Sequence, residues 1–271
     1  MTDVVHVDLT DHVLTITMDR PEARNALNRQ MIAELSAAFD RLENDVDCWV
    51  GVLQGEGKTF CAGADLKEAL AARRGSDKGG GAQAADRADA ASAEGPQGAN
   101  MMSRKRKPLI ACVEGQAYAG GMELLLTCDL VVADTNATFA LSEVKRGLLA
   151  IGGGLFRLPR RIPHNIATEM ILTGAPRTAE EMHQIGFLNR LVPPGQAREA
   201  AREFALQLTA NSPVAVQAAL EVSVTAATEG WTDDDGWKGQ KGPFKRVSQS
   251  EDLMEGLRAF TEKRDPLWKG R

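Results

Sequence analysis

The sequence has few of the residues that mark metal sites, disulfide frameworks and membrane spans. It contains four cysteines and four histidines in 271 residues, and neither set shows a metal-ligand spacing such as Cys-x-x-Cys. We therefore predict no metal site, and in a chain of this length without an export signal we predict reduced thiols. The sequence shows no pattern for a redox cofactor, so we predict no cofactor. No apolar run is long enough to span a bilayer, and the first residues lack the basic and apolar regions of a signal peptide. We expect a cytoplasmic protein that does not partner a membrane.

The sequence also lacks a net positive charge and the common nucleophile and nucleotide-binding motifs. The formal net charge is −5, which argues against a nucleic-acid partner because such proteins usually carry a basic footprint. The Gly-x-Ser-x-Gly turn of α/β-hydrolases is absent. Gly57-Lys58-Thr59 resembles the end of a nucleotide-binding loop, but Val52 stands where that motif needs its first glycine. The length and the hydrophobic fraction of 43% predict one large domain, alone or with a helical appendage.

The first part of the chain predicts a hairpin followed by a strand–helix–strand unit. Residues 4–18 alternate apolar and polar side chains, with a turn near Asp11. Asn28 is suited to cap a helix over residues 29–44, which carries one apolar stripe. Residues 50–55 form a short apolar run that is typical of a buried strand.

The most informative stretch is residues 113–126, which predicts a strand end, a turn of small residues and a helix. Gly120 and Gly121 permit close approach of a ligand to the backbone. The first N–H groups of a helix have no partners within the helix and favour negative charge. Glu123 follows within one helical turn. The pattern indicates either an anion-stabilising turn beside a carboxylate or a tight packing turn with a favourable first-turn glutamate.

Three other segments have a distinct composition. Residues 74–100 contain too few large apolar side chains to offset the entropy of ordering, so we predict weak order without a ligand. The basic run at 104–107 is interpreted as a solvated face, with contact to a substrate phosphate as the alternative. Gly152-Gly153-Gly154 predicts a tight turn near a pocket, because Arg157 stands where a dinucleotide-binding fingerprint needs its last glycine.

The last third of the chain predicts helices. Residues 197–210, 214–227 and 253–263 have broad apolar faces. We place Trp231, Trp237 and Phe244 between helices, where packing is the default interpretation and contact with another subunit is the alternative.

Three segments in order resemble the signature blocks of the crotonase superfamily, and more narrowly of the enoyl-CoA hydratase group. They are residues 60–67, 119–124 and 142–144, and the resemblance extends over nearly the whole chain. It implies an α/β fold, a crotonase-like spiral of ββα units over residues 1–195. It also implies a C-terminal helical region, residues 196–271, that builds homotrimers, commonly paired into hexamers.

The resemblance also implies a site for acyl-CoA thioesters, in which coenzyme A is part of the substrate. Ala64 and Gly120 would supply the two N–H groups of an oxyanion hole. Glu123 and Glu143, twenty positions apart, match the two catalytic acids of hydratases. The implied coenzyme A contacts are Arg24, Ala62, Asp65 and Leu66.

Hydration of a 2-enoyl-CoA is the leading prediction, because two carboxylates can remove a proton from water and give one to the α-carbon. The first alternative is another enolate reaction such as double-bond isomerisation, since isomerases of the family often keep one of the two acids. The second alternative is a non-catalytic acyl-CoA-binding scaffold, which would not need both carboxylates. Ile151 departs from the family, which often has a glycine there, and its side chain is expected to reshape the acyl pocket.

Overall fold

The computed structural model describes residues 3–68, 70–71, 103 and 105–271. The segment predicted to be weakly ordered, residues 74–100, lies outside the described residues. The strands are β1 Val5–Thr10, β2 Val13–Met18, β3 Val50–Gly55, β4 Leu109–Val113, β5 Gln116–Tyr118, β6 Leu130–Asp134, β7 Thr138–Ala140, β8 Arg177–Thr178 and β9 Arg190–Val192. The helices are α1 Arg29–Asn44, α2 Gly120–Leu125, α3 Gly154–Arg161, α4 His164–Thr173, α5 Ala179–Gln184, α6 Ala197–Thr209, α7 Pro213–Glu229, α8 Asp233–Gly239, α9 Lys241–Ser248 and α10 Glu251–Glu262.

The larger sheet has the strand order β1-β2-β3-β4-β6-β9. The predicted hairpin of β1 and β2 is confirmed as an antiparallel pair, and the other pairs of this sheet among the described residues are parallel. Parallel strands are usually covered on both faces. Here α1 packs on one face through Leu35 and Phe39, and α6 packs on the other through Ala201 and Ala205. The core therefore lies in two layers around a fully buried central strand, β4.

Local side-chain chemistry fixes several helix ends. The side chain of Asn28 accepts the N–H of Met31 at 2.8 Å, which confirms the predicted cap of α1. Thr178 and Glu181 form a reciprocal capping box at the start of α5. Gly174 ends α4 in a left-handed conformation, φ 58°.

The smaller sheet, with strand order β5-β7-β8, carries the parts of the chain that hold the site. β5 runs parallel to β7, with Tyr118 opposite Ala140. Cys61 bridges to Ala117 in β5, which brings the 61–65 segment beside the 118–120 turn. The sequence predicted a turn at β5, so the presence of this strand corrects that prediction.

Two other sequence interpretations are wrong. Trp237 and Phe244 lie within α8 and α9, whereas Trp231 does lie between helices. The basic run is not a solvated face at Lys105 and Lys107, which are 3% and 8% exposed. Lys105 Nζ lies 4.4 Å from the ring centroid of Phe39. Lys107 Nζ donates to the carbonyl oxygen of Asp45 at 2.7 Å, so its charge is satisfied within the fold.

The four cysteines are free and buried. Among the described residues, no cluster of three or more His, Cys, Asp or Glu side chains is arranged to hold a metal ion. No helix in the described part of the chain combines the length and apolar character needed to cross a membrane.

Candidate active site

Two buried glutamates follow the carboxyl ends of the paired parallel strands β5 and β7. Glu123 lies in the first turn of α2, five residues after the last residue of β5. Glu143 opens a 3₁₀ turn three residues after the last residue of β7. The two residues are 5% and 9% exposed. Parallel pairing places the ends of the two strands side by side, so the fold brings together both glutamates that the sequence predicted as catalytic.

Glu123 is held by the glycine turn that precedes α3. Its Oε1 accepts the N–H of Gly154 at 2.9 Å. A Cβ atom on Gly152 would lie 2.8 Å from its Oε2, so the carboxylate packs directly on that glycine. Burial, and to a smaller extent the charge of Glu143, raise the pKa of Glu123 to about 7. The N–H groups of Gly154 and Gly152 and the charge of Arg157 act in the opposite direction.

Glu143 has a different environment. Both of its carboxylate oxygens are buried and have no hydrogen-bond partner among the described residues. Burial raises the pKa of Glu143 above its ordinary value, whereas its own backbone N–H and the charge of Arg146 act to lower it. Burial is the largest of these influences, so the protonated form of Glu143 is favoured relative to an exposed glutamate. Buried polar atoms are nearly always paired in folded proteins, so these two oxygens are suited to a bound water or substrate.

The N–H groups of Ala64 and Gly120 lie beside each other near this pair. Two backbone hydrogen bonds flank Ala64 and leave its own N–H out. The N–H of Leu27 donates to the carbonyl oxygen of Gly63 at 2.8 Å, and the N–H of Asp65 donates to the carbonyl oxygen of Leu27 at 3.0 Å. A Cβ atom on Gly63 would lie 3.1 Å from the nitrogen of Gly120, and one on Gly120 would lie 3.5 Å from the nitrogen of Ala64. In the described part of the chain, neither N–H donates a hydrogen bond. Both are therefore available to an acceptor.

The turn that carries Gly120 is tightly packed. Ala119 adopts φ 51° and ψ −125°, a conformation that a residue with a Cβ atom rarely adopts. Its N–H is fixed by the carbonyl oxygen of Ala140 at 2.8 Å. A Cβ atom on Gly121 would lie 2.3 Å from the carbonyl oxygen of Cys61, so only glycine fits at that position. The surrounding fold therefore determines the direction of the Gly120 N–H.

The four residues implied as coenzyme A contacts lie together around the start of the 61–68 segment. The N–H of Ala62 donates to the carbonyl oxygen of Arg24 at 3.0 Å. Leu66 is 46% exposed. The carboxylate of Asp65 is used within the fold, since it pairs with Arg20 at 3.2 Å and accepts the N–H of Lys67 at 3.2 Å. Their role in binding stays a prediction.

Sequence reasoning missed three residues of the site. Gly152, Gly154 and Arg157 contact or act on Glu123, yet the glycine run was read as a tight turn near a pocket. The signal that points to them is the run itself, which follows Glu143 closely in the chain. Three consecutive glycines indicate that another group approaches the backbone there.

Comparison with known proteins shows which family the chain belongs to. The family model described as enoyl-CoA hydratase/isomerase matches residues 8–271. An enoyl-CoA hydratase of Mycobacterium tuberculosis is 40% identical over 267 residues, covering 98% of this chain and 96% of that protein. A carnitinyl-CoA dehydratase of Proteus mirabilis is 37% identical over 276 residues and 100% of both chains. The crystal structure of an enoyl-CoA hydratase from Mycobacterium tuberculosis H37Rv has a TM-score of 0.87 to this chain, at 40% identity and 100% coverage of both. The chain therefore belongs to the enoyl-CoA hydratase/isomerase family and has the crotonase fold that its sequence predicted.

Proposed function

We propose that the protein catalyses the reversible addition of water across the 2,3 double bond of a 2-enoyl-CoA thioester. The observation that carries this proposal is the pair of buried glutamates, of which Glu143 has two oxygens without a hydrogen-bond partner among the described residues. The relatives support it, since they are named as a hydratase and as a dehydratase, the two directions of one exchange of water.

Ala64 and Gly120 form the oxyanion hole in this proposal. Attack of water on the β-carbon builds negative charge on the thioester oxygen. The two adjacent N–H groups, which are not engaged within the described fold, would donate to that oxygen. A preorganised donor of this kind contributes about 3 kcal/mol to transition-state stabilisation.

The two glutamates divide the proton transfers. Burial raises the pKa of Glu123 to about 7, and the N–H groups of Gly154 and Gly152 and the charge of Arg157 oppose that rise, so the carboxylate form is populated at neutral pH. We assign it as the base that takes a proton from water while the water oxygen bonds to the β-carbon. Glu143 lacks such donors among the described residues, and we assign it as the acid that protonates the α-carbon. Each transfer contributes on the order of 10²–10⁴-fold.

The proposal includes no cofactor, because the two carboxyl groups and two N–H groups supply every proton and charge that the step requires. Coenzyme A is part of the substrate and runs past Arg24, Ala62, Asp65 and Leu66. Ile151 is 54% exposed and directly precedes Gly152. We propose that its side chain limits which acyl groups reach Glu123.

The assembly is proposed to be a homotrimer or a hexamer of two trimers, formed in the cytoplasm. Residues 1–195 make the core in this view, and residues 196–271 contribute the contacts between copies. A stripe of exposed apolar side chains on α10 supports a second copy as the partner. The stripe consists of Leu253, Met254, Leu257 and Phe260, which are 38%, 52%, 55% and 87% exposed.

Incubation with crotonyl-CoA and with longer 2-enoyl-CoAs tests the proposal, because hydration removes the absorbance of the conjugated thioester. Loss of this absorbance with formation of the 3-hydroxy product supports hydration. Movement of the double bond without uptake of water would favour the isomerase alternative. Tight binding of the acyl-CoA with no turnover of any chain length would favour the scaffold.

A further inference from the structure

The side chain of Arg157 folds back over the turn that precedes its own helix. Arg157 is the fourth residue of α3, and its Nη1 donates to the carbonyl oxygen of Gly152 at 3.2 Å. A Cβ atom on Gly153 would lie 2.8 Å from the same Nη1 and 3.1 Å from Cζ. Long basic side chains usually extend their charge into water. This one is half-buried and lies against the backbone of the glycine turn.

The same turn contacts Glu123. Gly154 donates its N–H to Oε1, and Gly152 lies against Oε2 closely enough that a Cβ atom would be 2.8 Å away. Glycines have no side chains that could anchor this backbone by packing. Arg157 anchors the turn by donating to the carbonyl oxygen of Gly152. A shift of the Arg157 side chain would therefore move the turn and, with it, the Glu123 carboxylate.

Charge connects the two side chains as well. Burial and Glu143 raise the pKa of Glu123, and Arg157 is the cation that lowers it. Arg160 on the same helix and the buried Lys105 also interact electrostatically with Arg157. Burial lowers the pKa of Arg157 most, while Glu123 acts to raise it. The cation and the carboxylate therefore each favour the charged form of the other.

We propose that Arg157 is a positioning residue for the reaction, which fixes the 152–154 turn against Glu123 and keeps a positive charge beside that carboxylate. The kinetic consequence rests on the proposed function, whereas the effect on the Glu123 carboxyl group concerns the free protein. The fully buried Leu158 gives α3 a second anchor in the core that does not involve Arg157.

Arg157→Gln removes the positive charge. Arg157→Lys keeps the charge but lacks the planar guanidinium group that contacts the turn. Arg160→Gln is the matched control, since Arg160 is an exposed residue of the same helix. The guanidinium carbons of Arg157 and Arg160 lie 5.4 Å and 5.8 Å from the same Phe156 ring. Two readouts are measured for each variant. One is kcat and KM for hydration across pH, and the other is infrared titration of the Glu123 carboxyl band, assigned by its loss in Glu123→Gln.

For Arg157→Gln, kcat should fall by roughly tenfold or more, with a much smaller change in KM. Removing the cation raises the pKa of Glu123, so the acid limb of the pH profile and the infrared midpoint should both move upward by on the order of one unit. Arg157→Lys should lose kcat with little movement of the midpoint. Arg160→Gln should match the wild type in both readouts.

A folded Arg157→Gln variant with wild-type kcat and an unmoved infrared midpoint would overturn the inference. If Arg157→Gln does not fold, Arg157→Lys decides, and wild-type kcat in that variant rejects the positioning role. If the wild type hydrates no enoyl-CoA, the proposed function fails. The infrared midpoints of Arg157→Gln and Arg160→Gln still decide the inference in that case.

Discussion

The backbone N–H of Gly154 donates a 2.9 Å hydrogen bond to Oε1 of Glu123, a residue 31 positions earlier in the chain. The bond joins the start of α3 to the first turn of α2. This hydrogen bond stabilises the ionised form of Glu123, which burial disfavours. The glycine turn is thus part of the proposed acid–base site, and substitutions in the turn should change kcat.

Gly152→Ala should lower the hydration activity of the folded protein. The added Cβ atom would lie 2.8 Å from Oε2 and 3.0 Å from Cδ of Glu123, so the carboxylate must move. We expect kcat to fall by roughly 10²-fold, as for loss of general acid–base help. Gly236→Ala is the control, because its Cβ atom would meet nothing within 4 Å. Equal activities in the two variants would argue against close packing at Glu123.

Glu123→Gln should be more stable than the wild type at alkaline pH. Burial raises the pKa of Glu123 from its ordinary 4.5 to about 7 in the folded protein. The folded state therefore binds this proton more tightly than the unfolded state. The resulting stabilisation is fully present below pH 4.5 and is lost as the pH rises through about 7. The variant lacks this loss, so at about pH 8 it should gain on the order of 3 kcal/mol relative to the wild type.

Urea unfolding at about pH 5 and about pH 8 measures this difference, at one protein concentration because assembly also stabilises the fold. The advantage of Glu123→Gln should be small at the lower pH and large at the higher one. A difference that does not vary with pH would mean that Glu123 titrates normally.

A hydrogen-exchange experiment should distinguish the roles of Glu123 and Glu143. Butyryl-CoA has no double bond to hydrate, but its α-hydrogens can exchange with deuterated water through the enolate. We assign this step to Glu143, so Glu123→Gln should retain exchange within about tenfold of the wild type, whereas Glu143→Gln should lose roughly 10²-fold or more. Mass spectrometry of the acyl-CoA measures it. The opposite order of losses would reverse the assignment of acid and base.

The apolar stripe on α10 should control assembly. The helix is fixed from its other side, because buried Asp252 accepts hydrogen bonds from Ser212 at 2.9 Å and from the N–H of Lys269 at 2.8 Å. Light scattering should give a trimer or hexamer mass for the wild type and a smaller mass for Leu257→Glu. Val46→Glu, a change at an exposed apolar residue outside α10, should keep the wild-type mass. A monomeric wild type at micromolar concentration would reject the proposed assembly.

Much of the fold could be predicted because local side-chain chemistry defines it. Asn28 and Thr178 cap helices with bonds to residues three positions away, and the buried strand β4 carries an unbroken apolar signal. The α/β class and the crotonase fold followed from these signals and the three sequence blocks. Helices α8 and α9 were missed because Gly236, Gly239 and Gly242 interrupt their pattern.

The candidate site was predicted only in part, because some of its contacts are set by tertiary structure. Strand β5 has three residues, and its pairing with β7 depends on chain that follows about twenty residues later. No spacing rule specifies such a pair. A charged residue on a short helix predicts a solvated side chain, and the fold of Arg157 back onto Gly152 is visible only in three dimensions.

The most direct test of the two-glutamate mechanism is the steady-state hydration rate of Glu123→Gln, Glu143→Gln and the double variant with one 2-enoyl-CoA. Each single variant keeps side-chain shape but cannot accept a proton, so kcat should fall by roughly 10²-fold or more while KM changes far less. The double variant should be little worse than the poorer single variant, because residues that act as a unit are not additive. Near wild-type hydration by Glu123→Gln with complete loss in Glu143→Gln would contradict the mechanism and favour a one-base, isomerase-type reaction.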